Sequence, residues 1–197
     1  MSKDPALEEL ARSGARLNEE TLASEQVYDG VLLKVQRDTV RLPDGTTSVR
    51  EYIRHPGASS IIALTDEGEV VLLRQFRYPM HRAFIEFPAG KIDQGEQPFD
   101  TAKRELLEET GYLAREWTEL TTIHNAIGYA DERIVLYLAE GLEPGTQKLD
   151  DNEFVEVFTA PLDDLMRWIA AGEVTDVKTV IGAFFVQKLL AGRGSGS

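Results

Sequence analysis

The chain has 197 residues, which suits one domain of ordinary size, alone or with a small appendage, and is long enough to bury a core without disulfide or metal staples. It contains no cysteine, which excludes disulfides, zinc–thiolate sites and cysteine nucleophiles and fits a reducing compartment. Asp and Glu total 34 against 21 Lys and Arg, and the resulting net charge of −13 repels a nucleic-acid backbone, with no basic run to offset it.

Residues 1 to about 24 are polar, with a short helix expected around ALEELARSG. This N-terminus lacks the apolar core of a signal peptide, and no stretch approaches the length of a membrane span. The cytoplasm is therefore the expected location, with neither membrane nor nucleic acid as a partner. A β-rich segment follows. VYDGVLLKVQRDTVRL and TTSVREYIRH flank the turn signal Pro43-Asp44-Gly45, so a hairpin is expected. SSIIALTDEGEVVLLRQF repeats the device, with Asp66-Glu67-Gly68 between two apolar runs. ELTTIHNA, RIVLYLAEGL and EFVEVFTAPL supply further strands. Near the end, Leu162, Leu165, Trp168 and Ile169 share a helical face, and KTVIGAFFVQKLLAG is apolar over much of its surface. GRGSGS reads as a flexible tail. Many strands with few helices, in no repeating βαβ order, indicate an α+β fold of mixed sheets packed by helices.

The middle of the chain, GKIDQGEQPFDTAKRELLEETGY, carries the chemistry. Pro98 suits a first helical turn, Asp100 complements the positive end, and Gly111 is placed as a left-handed stop, so a helix over about 98–110 is expected. Phe99, Ala102 and Leu106 can form its buried stripe. Glu105, Glu108 and Glu109 stand at i, i+3 and i+4 and are neighbours on one face. Each like-charge pair costs roughly 0.2–0.5 kcal/mol when exposed, and the negative end of the helix dipole adds a comparable penalty. Taken alone, the cluster reads first as a solvated acidic face relieved by Arg104 and only second as a cation site. The neighbouring glycine-bearing loop PAGKIDQGE favours the second reading, because Mg²⁺ is held by a few carboxylate and carbonyl oxygens together with substrate phosphates.

Gly90, Glu96, Arg104-Glu105, Glu108-Glu109 and Gly111 stand at the spacing of a 23-residue signature, with only Tyr112 in a place where an aliphatic is usual. In this the chain resembles the Nudix hydrolases, which cleave nucleoside diphosphates linked to another moiety. LLRQFRYP, FIEFPAGKID and NEFVEVFTAPLDDL extend the resemblance to the ADP-ribose and nucleotide-sugar pyrophosphatase branch, over roughly residues 25 to 190. The resemblance implies an α/β/α Nudix fold. It also implies an N-terminal β region (1–57) exchanged between the subunits of a homodimer, a catalytic domain (58–192) and a tail (193–197).

The resemblance distributes roles as well. Glu105 and Glu109 would ligate Mg²⁺, or Mn²⁺ in its place, with Glu108 as a shared or second-ion ligand and the Ala89 carbonyl completing the set. Arg104 would orient the glutamates, and Glu96 would either add metal binding or hold the loop. Glu153 matches the general base, with Asp151 as a competitor; without the resemblance Glu153 reads as an exposed acid at a strand start. Arg77 matches a position that contacts the nucleotide or its phosphates, and otherwise reads as a surface strand arginine. The partner subunit's Glu51 and Arg54 would contact the base, and Glu132 the terminal sugar.

The implied reaction is Mg²⁺-dependent hydrolysis of ADP-ribose to AMP and ribose 5-phosphate. One departure bears on the substrate: where this branch commonly carries Ser-Pro-Gly, NAIGYADERI places Ile127 at the proline and keeps Gly128. An ADP- or GDP-linked hexose is therefore the alternative. A nucleotide-sensing module without catalysis is the non-enzyme alternative, although such modules usually lose box glutamates and this chain keeps them all. Dinucleoside polyphosphates and capped RNA are disfavoured by the flanking motifs. No P-loop and no GxSxG elbow is present, and His55, His81 and His124 are isolated in sequence.

Overall fold

The computed structural model describes residues 4–149 and 151–194 and divides into two compact units, one of residues 1–55 with 126–131 and one of residues 56–125 with 132–197. The first opens with helix α1 (Pro5–Gly14), as the ALEELARSG pattern predicts. Strands β1 (Glu20–Asp29), β2 (Lys34–Arg41) and β3 (Thr47–Arg54) then form an antiparallel meander. The β2–β3 hairpin turns at Pro43-Asp44-Gly45. Gly45 takes a φ of 85°, and Asp44 accepts hydrogen bonds from the N–H and hydroxyl of Thr46. β1 differs from expectation on two counts. It starts at Glu20, inside the stretch read as a polar leader, and Gly30–Leu33 break what read as one strand, Gly30 N–H donating to the Leu33 carbonyl at 2.9 Å. All ten residues of β1 are exposed, and among the described residues of this unit only Asp38 and Val40 are buried.

The second unit holds two sheets, ordered β7-β4-β9-β8 and β10-β5-β6. The strands are β4 (Ala58–Ala63), β5 (Glu69–Arg77), β6 (Arg82–Glu86), β7 (Ala89–Lys91), β8 (Tyr112–Ile123), β9 (Ile134–Pro144) and β10 (Val155–Pro161). The helices are α2 (Pro98–Thr110), α3 (Leu162–Ala170) and α4 (Val177–Gly194). The expected second hairpin is absent. The Asp66-Glu67-Gly68 turn forms, but β4 and β5 share a single bridge, Leu64 with Val70, and then enter different sheets. The reason lies in their composition. Both runs are apolar at consecutive positions and so are covered on both faces, β4 lying parallel to β9 while β5 pairs with β10 and β6. On one side Ile61, Ala63, Val135 and Tyr137 pack with Ala102 and Leu106 of α2. On the other, Ile62, Leu136 and Leu138 join Phe87, Leu162 and Leu165, together with Ala183 and Val186 of α4. Trp168 and Ile169 pack against that second cluster, as their spacing requires.

α2 begins at Pro98 and stops at Gly111, whose φ of 74° lets its N–H reach the Leu107 carbonyl at 2.9 Å. Its stripe differs from expectation at Phe99, which is 40 % exposed and stacks edge-on with Trp117 rather than entering the core. The buried positions are Thr101, Ala102, Leu106, Glu109 and Thr110. The tail expected from residue 193 is partly helical, since α4 continues to Gly194 and Arg193 pairs with Glu140 at 2.6 Å; residues 195–197 lie outside the described residues.

Replacing Gly111 with Ala forces a Cβ into left-handed backbone and to 3.1 Å from the Gln147 nitrogen. The expected loss is about 1–2 kcal/mol, read as a lowered urea midpoint, and an unchanged midpoint would refute the account of this helix end.

Candidate active site

α2 carries Glu105, Glu108 and Glu109 against the segment Glu86–Lys91, which the Pro88 carbonyl anchors by accepting the Ile61 N–H at 2.8 Å. Gly90 is where the two meet. A Cβ built on Gly90 would overlap the Glu105 carboxylate, so this close approach of carboxylate to backbone requires glycine. What read as loop is a short strand here, β7 pairing Ala89 and Gly90 with Ser60 and Ser59.

The acids are partnered in an ordered way. Arg104 donates to Glu96 from Nε (3.0 Å) and Nη2 (2.9 Å), and from Nη1 to Glu105 (2.8 Å) and Glu108 (3.0 Å). Glu96 also accepts the Thr101 hydroxyl at 2.7 Å and the Asp93 N–H at 3.2 Å, the arrangement of a residue that holds the loop. Arg104's hydrogen bonds keep the Glu96 carboxyl down at about 2. Glu109 is 3 % exposed and accepts the Ala89 N–H at 2.8 Å, which sets the Ala89 peptide beside it. Burial is the main cause that lifts Glu105 to about 7, with Glu108 and Glu153 adding repulsion and Arg104 opposing. Burial likewise raises Glu109 well above the carboxylate range, helped by Glu105 and Glu153 and opposed by the Ala89 N–H and Lys178.

Glu153, just before β10, accepts the Gln75 amide at 3.2 Å, and its charge reaches both Glu105 and Glu109. Asp151 lies exposed in the preceding turn. Arg77 makes a two-pronged pair with buried Glu86, at 2.7 and 2.6 Å, and feels the charge of Glu109. Glu132 accepts the Asn125 amide at 2.9 Å. Glu51 and Arg54 belong to the N-terminal unit. There Glu51 accepts Arg37 Nε at 2.9 Å, and Arg54 pairs with Asp131 at 3.3 Å. Glu51 and residues Ile127–Ala130 line a cleft of about 360 Å³ within that unit.

The donor set suits a hard divalent cation: carboxylate oxygens on a rigid helix, Glu109 buried and Glu105 partly so, beside a backbone segment that glycine brings close. As they stand, no His, Asp and Glu side chains among the described residues form a ready metal cage. Glu105 and Glu108 are turned onto Arg104 and Glu109 onto the Ala89 N–H, so holding an ion requires some of these bonds to be exchanged. Sequence reasoning missed Glu86 and Lys178. The available signals were a lone acid inside the apolar FIEF and the Asp-x-Lys-Thr start of the last helix.

Residues 54–179 match the NUDIX domain, and residues 19–53 match the nucleoside diphosphate sugar hydrolase N-terminal domain. The chain is 42 % identical over 173 residues to the ADP-ribose pyrophosphatase of Bacillus subtilis (strain 168), covering 87 % of this chain and 94 % of that protein. It is likewise 42 % identical over 176 residues to the methanol dehydrogenase activator of Bacillus methanolicus, covering 88 % and 95 %. A crystal structure of an ADP compounds hydrolase shares the fold with a TM-score of 0.80 at 24 % identity, over 90 % of this chain and 96 % of that one.

Because Glu105 titrates above its usual 4.5 in the fold, its contribution to stability is fully present below about pH 4.5 and is lost as pH rises through about 7. With divalent ions chelated, urea stability is expected to fall across that window by up to about 3 kcal/mol, and Glu105→Gln to flatten the slope. A Glu105→Gln protein with the wild-type slope would refute this assignment.

Proposed function

The chain belongs to the Nudix hydrolase family, and we propose that it hydrolyses the diphosphate bond of ADP-ribose to AMP and ribose 5-phosphate, with Mg²⁺ or Mn²⁺ as cofactor. What carries this reading is the carboxylate cluster of α2 against Gly90, with Glu109 buried and Glu105 and Glu108 partly so. Glu105 and Glu109 would hold the ions with Glu108 and the Ala89 carbonyl. Divalent ions bound there supply neutralisation of the diphosphate and acidify the attacking water.

The protein's own residues do the rest. Arg104 restrains Glu105 and Glu108 while it closes the loop through Glu96, which keeps the acids near their working positions. Arg77 meets the phosphates with its exposed edge. Glu153 takes the proton of the attacking water, whose oxygen bonds to one phosphorus while the anhydride P–O bond breaks and its electron pair leaves on the other phosphate. The charge that Glu153 projects onto Glu105 and Glu109 supports this role over Asp151.

A second reading is hydrolysis of ADP- or GDP-linked hexoses to a nucleoside monophosphate and a sugar 1-phosphate. It is favoured by the match of residues 19–53 to a nucleoside diphosphate sugar hydrolase domain and by Ile127 in the loop beside Glu51. On either reading we propose a homodimer to which the N-terminal unit contributes, with the partner subunit's Glu51 and Arg54 on the base and Glu132 on the terminal sugar. Support comes from β1, exposed along its whole length, and from the exposed apolar run Val31–Leu33. Such a surface on a unit with almost no core of its own calls for a covering partner. A cytoplasmic setting accords with the absence of cysteine. No helix among the described residues is long and apolar enough to cross a membrane.

With Mg²⁺ present and ADP-ribose, ADP-glucose and GDP-mannose offered separately, AMP and ribose 5-phosphate are expected from the best substrate. Release of hexose 1-phosphate in preference selects the second reading, and nucleotide binding without turnover refutes both. Glu153→Gln is expected to lower kcat by about 10²–10⁴-fold with Mn²⁺ binding retained; wild-type turnover would remove it as the base.

A further inference from the structure

Behind the α2 carboxylates lies a second charged cluster that the reaction described above does not use. Glu86, at the end of β6, is 3 % exposed. It accepts Arg77 Nε and Nη2 on its two oxygens and Lys178 Nζ on one of them. Lys178, in the first turn of α4, is 7 % exposed and also lies 3.0 Å from Asp176. Asp176 caps α4 by accepting the Thr179 N–H (3.0 Å) and hydroxyl (2.6 Å). The Thr179 oxygen in turn accepts the Phe87 N–H at 2.8 Å. From Glu86 to Ala89 every residue is thus tied down. Glu86 and Phe87 are held by α4, the Pro88 carbonyl by Ile61, and the Ala89 N–H by Glu109.

The consequence for Arg77 is geometric. Glu86 claims Nε and Nη2, which fixes the plane of the guanidinium and leaves Nη1 on a side chain that is 44 % exposed. Lys178 donates to the Glu86 oxygen that Arg77 Nη2 also uses and so holds that carboxylate in place from behind, while Asp176 pairs with Lys178 and balances its charge. Burying an acid and a lysine is costly unless both are fully partnered, and here their partnership also aims a residue at the site.

We propose that the buried Glu86–Lys178 pair is the positioning element for Arg77, holding its free edge toward the diphosphate of the substrate. This rests on the reading of Arg77 as a phosphate contact. Neither Glu86 nor Lys178 touches the substrate; both act through Arg77.

The test is steady-state kinetics on ADP-ribose with saturating Mg²⁺ for the full-length wild type, Lys178→Gln, Lys178→Arg, Arg77→Ala and the Arg77→Ala/Lys178→Gln double variant. Calorimetric Kd values for ADP serve as a readout independent of turnover. Lys178→Gln is expected to raise KM and Kd about tenfold with kcat within about twofold, Lys178→Arg to keep the wild-type values, and Lys178→Gln to add nothing once Arg77 is gone. A lowered melting temperature with wild-type KM and Kd would overturn the proposal, as would an equal tenfold rise in the Arg77→Ala background. Should Lys178→Gln not fold, Glu86→Gln/Lys178→Met removes both buried charges together, while Asp176 keeps its cap hydrogen bonds from Thr179; the same rise supports the proposal and wild-type values overturn it. A wild type that binds ADP but hydrolyses nothing refutes the hydrolase reading alone, and the Kd comparison still decides the role of the pair.

Discussion

The constraint on which the rest depends is the burial of negative charge near the carboxyl end of α2. A helix end of that polarity repels carboxylates, and the core excludes the water that would otherwise screen them. Yet Glu109 is as buried as the apolar residues beside it. The structure answers with Arg104, which reaches Glu96, Glu105 and Glu108 at once, and with the Ala89 N–H on Glu109. Compensation is incomplete: burial first, and the neighbouring acids second, leave Glu105 and Glu109 raised. A divalent cation held there, as proposed, would supply the missing charge.

The fold is arranged to hold that helix and the facing backbone at a fixed separation. Ala102 and Leu106 seat α2 on the sheet of β4 and β9, while α4 seals the opposite face. Because Ser59 and Ser60 point to opposite faces of β4, the Ser59 hydroxyl holds the Pro98 carbonyl at the start of α2 and the Ser60 hydroxyl holds the Pro88 carbonyl. Helix and backbone segment therefore share one rigid strand as reference. Gly90 then lets them close to contact. The N-terminal unit follows a different logic. It is a three-stranded meander with two buried residues among those described, and its apolar surface faces outward.

Much of this was legible in the residues. Pro98 and Gly111 bound α2 correctly because a missing N–H and a left-handed φ are properties of single residues. The Pro43-Asp44-Gly45 hairpin was legible for the same reason. The β4–β5 pairing was misjudged because a turn signal specifies a reversal of the chain and not which strands hydrogen-bond beyond it. The consecutive apolar residues of IIAL and VVLL were the better guide, since strands covered on both faces belong inside a layered fold. Phe99 was misplaced because periodicity assigns a face and not a depth. As the second residue of the helix, its ring overhangs the core and meets Trp117 and Tyr137.

By itself the sequence determined the helix that carries the acids, their common face, the glycine beside them and the family to which that spacing belongs. These follow from local rules: 3.6 residues per turn, the φ allowed to glycine, and charge at helix ends. Only the tertiary structure decided how deeply each glutamate is buried, that Arg104 divides itself among three acids, and that Glu86 and Lys178 meet across 92 residues behind Arg77. Burial and long-range ion pairing depend on which elements pack together, and that choice belongs to the whole chain and to no stretch of it.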